Sequence, residues 1–154
     1  MKLRLLLFLP LLILLISCGD DDLYYYEDDL TTVPEAFSTE GITPDTTDSG
    51  LIIYTIAEGN SDISVTIRDQ VSVYYTGRKT NGEVFDSSYK NSQTDPTIFS
   101  VAGLIEGFTE GLIGMEEGGK RVIIVPPELG YAGTTNALYA DTLVFDLELD
   151  TIFF

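Results

Sequence analysis

Val73-Tyr74-Tyr75-Thr76-Gly77 and, after a short turn, Gly82-Glu83-Val84-Phe85-Asp86-Ser87-Ser88 bring aromatic residues and a carboxylate onto adjacent strands. An acid held among aromatic walls is costly in a closed core, because a charged group loses its hydration there. Such an arrangement suits a site that receives something. Further along the chain, Gly107-Phe108, Tyr131 and Phe145 add rings and a hydroxyl. The chain has no histidine, and Cys18 is its single cysteine. Hydrolytic triads built on His, or on a Cys within the folded part, are therefore excluded, and no cluster with metal-ligand spacing is present. An apolar cup with a few fixed donors acts by differential binding of a distorted state.

The elements that position these residues are legible as periodicities. Residues 51–57 and 70–76 read as strands, and in the second Val71, Val73 and Tyr75 share the apolar face. Thr80-Asn81-Gly82-Glu83 predicts a tight hairpin, because Asn-Gly adopts positive φ at little cost. Residues 83–87 return as a strand, and 97–101 read as another short one. Ile105, Phe108, Leu112 and Met115 form a helical stripe. Gly107, Gly111 and Gly114 weaken that helix by about 1 kcal/mol each relative to alanine, so it requires a sheet to lie on. Residues 120–125 form an apolar strand. In 143–153, Leu143, Phe145, Leu147 and Leu149 alternate with Val144, Asp146, Glu148 and Asp150. The fold class expected is α+β: the pattern suggests an antiparallel twisted sheet wrapped around one short α-helix, and by itself allows other α+β folds.

The blocks 73–77 and 82–88, with Gly107-Phe108, Pro126-Pro127-Glu128-Leu129-Gly130-Tyr131 and Leu143-Val144-Phe145-Asp146, resemble the FKBP-type peptidyl-prolyl isomerases in the family's order, over roughly residues 49–152. The resemblance implies catalysed rotation about X–Pro bonds, with proline-containing peptides or proteins as substrates and no cofactor or metal. It also implies roles for individual residues. Phe108 stands where the family usually has tryptophan, as the floor for the proline ring. Tyr75, Phe85 and Phe145 match the aromatic walls, and Leu104 and Ile105 the aliphatic edge. The Ile105 N–H and the Tyr131 hydroxyl are the expected donors to substrate carbonyls, and Asp86 is the carboxylate near the reacting bond. Taken singly, Phe108, Phe145 and Ile105 read more often as core than as site. Tyr75 then reads as a half-buried strand residue, Asp86 as a turn former and Tyr131 as a loop anchor.

Departures from the family pattern are specific. Tryptophan is absent from the chain, and Thr97 stands where many relatives carry an aromatic. The loop 132–141 lacks the family's Ile-Pro-Pro-x-Ala-Thr run. The basic residue that follows Asp-Ser-Ser in relatives is not aligned, which leaves Lys90 as the nearest candidate. Two alternatives to an isomerase follow: a catalytically weak module that binds proline segments, and a structural subunit of an envelope complex docked through Tyr24-Tyr25-Tyr26.

The N-terminal part reads as an address. Lys2 and Arg4 precede an apolar run over residues 5–16, too short to span a bilayer and suited to a secretory leader. Leu15-Ile16-Ser17-Cys18 looks like a bacterial lipobox, so residues 1–17 are expected to be a signal peptide and Cys18 an acylated, membrane-anchoring N-terminus. Residues 19–49 hold ten acidic side chains and no basic one. Residues 18–48 are accordingly expected to be a self-repelling flexible tether, and 49–154 a monomeric isomerase domain. Asp20-Asp21-Asp22 is similar to acidic surface-export signals of lipoproteins in some Gram-negative bacteria. The expected place is thus the bacterial cell envelope, with the outer membrane as the anchoring surface. Formal net charge is −17, or −19 without Lys2 and Arg4, which disfavours nucleic acid as a partner.

Overall fold

A computed structural model describes residues 27–154. The expected signal peptide, Cys18, the Asp20–Asp22 run and the Tyr24–Tyr26 cluster lie outside the described residues. Seven strands form one sheet: β1 (Asp45–Thr46), β2 (Ile52–Ala57), β3 (Gln70–Lys79), β4 (Val84–Ser87), β5 (Thr97–Ser100), β6 (Lys120–Val125) and β7 (Leu143–Phe153). Their order is β1-β2-β6-β7-β3-β4, with β5 also on β3, and every pairing is antiparallel. The single described α-helix, α1, spans Glu106–Leu112. This is the α+β architecture expected from the sequence.

The spine is the β3–β7 ladder, from Gln70↔Phe153 to Lys79↔Leu143. The period-2 alternation assigns its faces. Val71, Val73, Leu143, Phe145, Leu147 and Leu149 are buried toward α1. Ser72, Thr76, Arg78 and Asp146 lie on the opposite face.

The glycines of α1 have a packing purpose. Gly107 and Gly111 are one turn apart. A Cβ on Gly107 would lie 2.5 Å from Val125 Cγ1, and one on Gly111 would lie 2.8 Å from Ile123 Cδ1. Val125 and Ile123 share one face of β6, so the helix loses propensity but gains close approach to the sheet. Gly114, at φ 78°, follows the C-cap Ile113 and ends the helix in the left-handed region that disfavours side chains.

The hairpin after β3 differs from the Asn-Gly expectation. Gly82 alone takes positive φ, at 89°, while the Asn81 side chain accepts the Glu83 N–H. Lys79 N–H donates to Glu83 O, and Gly82 N–H to Lys79 O. The loop is the three-residue kind, a type I turn closed by a left-handed glycine.

Residues 27–48 correct the tether expected over 18–48. Over this stretch the chain lies on the domain. Asp45 and Thr46 pair with Ile53 and Ile52 as an edge strand. The Pro34 carbonyl accepts from Arg78, whose guanidinium also pairs with Asp146, and the Phe37 N–H donates to Asp146 Oδ1 at 3.3 Å. Lys120 Nζ sits 5.5 Å from the centre of the Phe37 ring. The physical reason is the back face of the sheet: the Arg78–Asp146 pair is buried there and requires further partners.

Candidate functional site

On the α1 side of the sheet, Tyr75, Phe85, Asp86, Phe99, Gly103, Leu104, Ile105, Phe108, Tyr131 and Phe145 line an open hollow of about 270 Å³. All eight pocket residues read from the sequence thus converge on it: Tyr75, Phe85, Asp86, Leu104, Ile105, Phe108, Tyr131 and Phe145. The ninth site residue, Cys18, lies outside the described residues.

Each ring is placed by its element. Tyr75 comes from the core face of β3 and Phe145 from that of β7, while Phe108 rises from α1 between them. Phe108 meets Phe145 at 5.0 Å, Tyr75 at 6.0 Å and Phe99 at 5.9 Å between ring centres, each pair edge-on. Phe85 meets Phe145 at 5.6 Å and 86°. Edge-to-face pairs put the positive rim of one ring on the negative face of another. Gly77 makes the last pair possible, since a Cβ there would lie 2.6 Å from Phe85 and 2.8 Å from Phe145.

A register shift places the acid. Gly77 pairs with Asp86 and Arg78 with Val84, so Phe85 is the extra residue of a β-bulge. Phe85 and Asp86, adjacent in sequence, therefore both reach the hollow where a regular strand would send them to opposite faces. Asp86 Oδ2 accepts from the Tyr75 hydroxyl at 2.6 Å, and Oδ1 accepts from the Ser87 N–H at 3.0 Å and from Lys90 Nζ at 3.1 Å. The following serines clamp β4 to Tyr75. Ser88 Oγ takes the Tyr75 N–H at 3.0 Å, and Ser87 Oγ donates to the Tyr75 carbonyl at 3.0 Å. Asp86 is thus a backbone anchor, through Ser87, and a pocket acid as well.

Electrostatics keep the hydroxyls protonated. Burial, then the hydrogen bond to Asp86, pushes the Tyr75 hydroxyl far above the ordinary tyrosine range. Burial and the Asp86 charge push Tyr131 up as well. The hydrogen bond to Asp86 raises the Lys90 ammonium. Among the described residues, nothing accepts from the Ile105 N–H or the Tyr131 hydroxyl, which leaves both donors free at the rim. No group of three or more potential metal ligands occurs among the described residues.

One contributor escaped the sequence reading. Phe99 packs on Tyr75 at 5.4 Å, and its place in the short strand read over 97–101 was the available signal. Lys90, the nearest candidate for the family's basic residue although it does not align with it, reaches Asp86 from a turn four residues on.

The sequence profile of the FKBP-type peptidyl-prolyl cis-trans isomerases matches residues 61–150. A probable FKBP-type peptidyl-prolyl cis-trans isomerase of Haemophilus influenzae is 40% identical over 107 residues, covering 68% of this chain and 43% of that protein. The FK506-binding protein of Neisseria meningitidis serogroup B is 40% identical over 104 residues, covering 65% of this chain and 94% of the relative. The crystal structure of FkpA from Escherichia coli superimposes with a TM-score of 0.64 at 35% identity, covering 71% of this chain and 51% of that one. The chain belongs to the FKBP-type peptidyl-prolyl cis-trans isomerase family. It matches less than half the length of the Haemophilus relative.

Proposed function

We propose that this chain catalyses cis–trans isomerisation of X–Pro bonds in exported or envelope proteins. The observation that carries the reading is the convergence of Tyr75, Phe85, Asp86, Phe108, Tyr131 and Phe145 on one hollow. Rotation about the bond meets a barrier of about 18–20 kcal/mol, because resonance gives C–N partial double-bond character. In a water-poor cup the carbonyl loses the solvent that stabilises its conjugated, polarised form. The proline ring rests on Phe108 between Phe145 and Tyr75, with Phe85, Leu104 and Ile105 closing the edges. The free Ile105 N–H and Tyr131 hydroxyl hold the flanking carbonyls, and Asp86, fixed by Tyr75, faces the twisting bond. Stabilisation arises because these contacts fit the bent imide better than the flat one.

Cys18 is the acylation site in this reading, residues 1–17 are a cleaved leader, and the chain stands in the bacterial envelope. With 27–48 on the domain, what remains of the expected tether lies outside the described residues.

Phe108 in place of tryptophan favours a second reading, a module that grips proline segments with little turnover. One experiment separates the two. A proline-containing tetrapeptide is titrated with the protein by NMR, reading peptide shifts for binding and cis–trans exchange peaks for turnover. The isomerase reading predicts both binding and faster exchange; binding at the uncatalysed rate, tens of seconds, supports the module.

A further inference from the structure

Lys90, which holds the pocket acid, is itself held by the N-terminal segment. Its Nζ lies 3.1 Å from Asp86 Oδ1 and 3.3 Å from Asp28 Oδ2. The turn that carries it, Lys90–Ser92, is left-handed at Asn91 (φ 57°) and Ser92 (φ 58°). Side chains disfavour that region, and such a turn persists where its surroundings over-determine it. Here the surroundings are residues 28–32. The Asp29 N–H donates to Asn91 Oδ1 at 2.7 Å, Asn91 N–H donates to the Asp29 carbonyl at 2.7 Å, and Asn91 Nδ2 donates to Asp28 Oδ1 at 2.9 Å. Thr32 Oγ1 donates to the Tyr89 carbonyl at 2.9 Å, and the Tyr89 ring stacks on Tyr74 at 5.6 Å.

We propose that residues 28–32 form a positioning strap, in which Asp28 acts through Lys90 to fix the orientation of Asp86 in the pocket. Asp28 and Lys90 are positioning residues, since neither lines the hollow. The segment that leads toward the proposed anchor thereby takes part in shaping the site. The argument rests on the isomerase reading for its kinetic consequence but not for its structural one.

The test uses the whole chain and its Asp28→Asn, Lys90→Met and doubly substituted forms. Asp28→Asn keeps an oxygen for Asn91 and removes the charge facing Lys90. In 13C NMR the Asp86 carboxyl-carbon signal shifts in Asp28→Asn and in Lys90→Met, and adding Asp28→Asn to Lys90→Met moves it no further. In the exchange assay each single substitution lowers kcat/KM about two- to threefold, as expected for a partly exposed ion pair, and the double variant is no worse than Lys90→Met. Asp28→Glu restores both readouts. An Asp86 signal unmoved by Asp28→Asn, or moved equally whether or not Lys90 is present, overturns the strap. A parent chain that fails to accelerate exchange overturns the isomerase reading, while the carboxyl signal still decides for or against the strap.

Discussion

The Tyr75 hydroxyl donates to Asp86 Oδ2 at 2.6 Å, joining the middle of the longest ladder to the bulged edge strand at the mouth of the pocket. A hydrogen bond to a charged acceptor is stronger than a neutral one, and this bond fixes the acid and the aromatic wall together. Its consequences, and those of the rings around it, can be measured.

Phe108 is both pocket floor and core, at 4% exposure. Phe108→Ala is expected to cost about 3–5 kcal/mol of stability, so lost activity in that variant would not isolate the site. Phe108→Leu is the informative change: urea denaturation should show a smaller loss than for alanine, about 1–3 kcal/mol, with kcat/KM for a proline peptide clearly reduced. An unaltered kcat/KM would remove Phe108 from the site.

At Gly77 the prediction concerns space. A methyl there collides with the Phe85 and Phe145 rings, and Gly77→Ala should cost about 1–3 kcal/mol by overpacking. Displaced rings should also perturb the aromatic NMR signals of Phe85 and Phe145 and weaken peptide binding. Parental stability and binding together would contradict the ring placement.

The alkaline limb of stability should carry the pocket's signature. Tyr75, Tyr131 and Lys90 all have pKa values raised in the fold. For a raised group the stabilising contribution is complete below its unfolded pKa, about 10 for tyrosine and 10.4 for lysine, and fades as pH climbs toward the folded value. The urea midpoint should stay level with respect to these groups up to pH about 9 and fall above about 10, less steeply in Tyr75→Phe. A midpoint that rises across that window would contradict the assignment.

The boundary at residue 49 is open to a direct check. A chain beginning at residue 49 loses the Pro34 carbonyl and Phe37 N–H that serve the buried Arg78–Asp146 pair. Compared with one beginning at residue 27, it should be less stable by about 1–3 kcal/mol for each such bond to a buried charge left unmet. Identical melting curves would return residues 27–48 to the role of a free tether.

Strands β6 and β7 were legible to their end residues, because their apolar periods are long and uninterrupted. The reading of α1 ran past both ends: Ile105 is its N-cap, and Gly114 stops it before Met115 can extend the stripe. Residues 27–48 read as solvated chain from their charge. Nothing local in that stretch announces that a buried ion pair on β3 and β7 will recruit its backbone. Lys90 was a candidate in the sequence, but its geometry was hidden for a related reason. Its approach to Asp86 depends on a left-handed turn at Asn91 and on partners some sixty positions away in sequence. The pocket was legible because its residues sit on regular elements, whereas the bulge that turns both Phe85 and Asp86 inward leaves no periodic trace.

The most direct test of the pocket as a catalytic site is the rate of cis–trans exchange in a proline-containing tetrapeptide, measured by NMR with the parent chain and with Asp86→Val. The expected outcome is acceleration by the parent, a rate constant about tenfold lower for the folded variant, and peptide affinity changed far less. Equal rates for parent and a folded Asp86→Val, or no acceleration by either, would contradict the account.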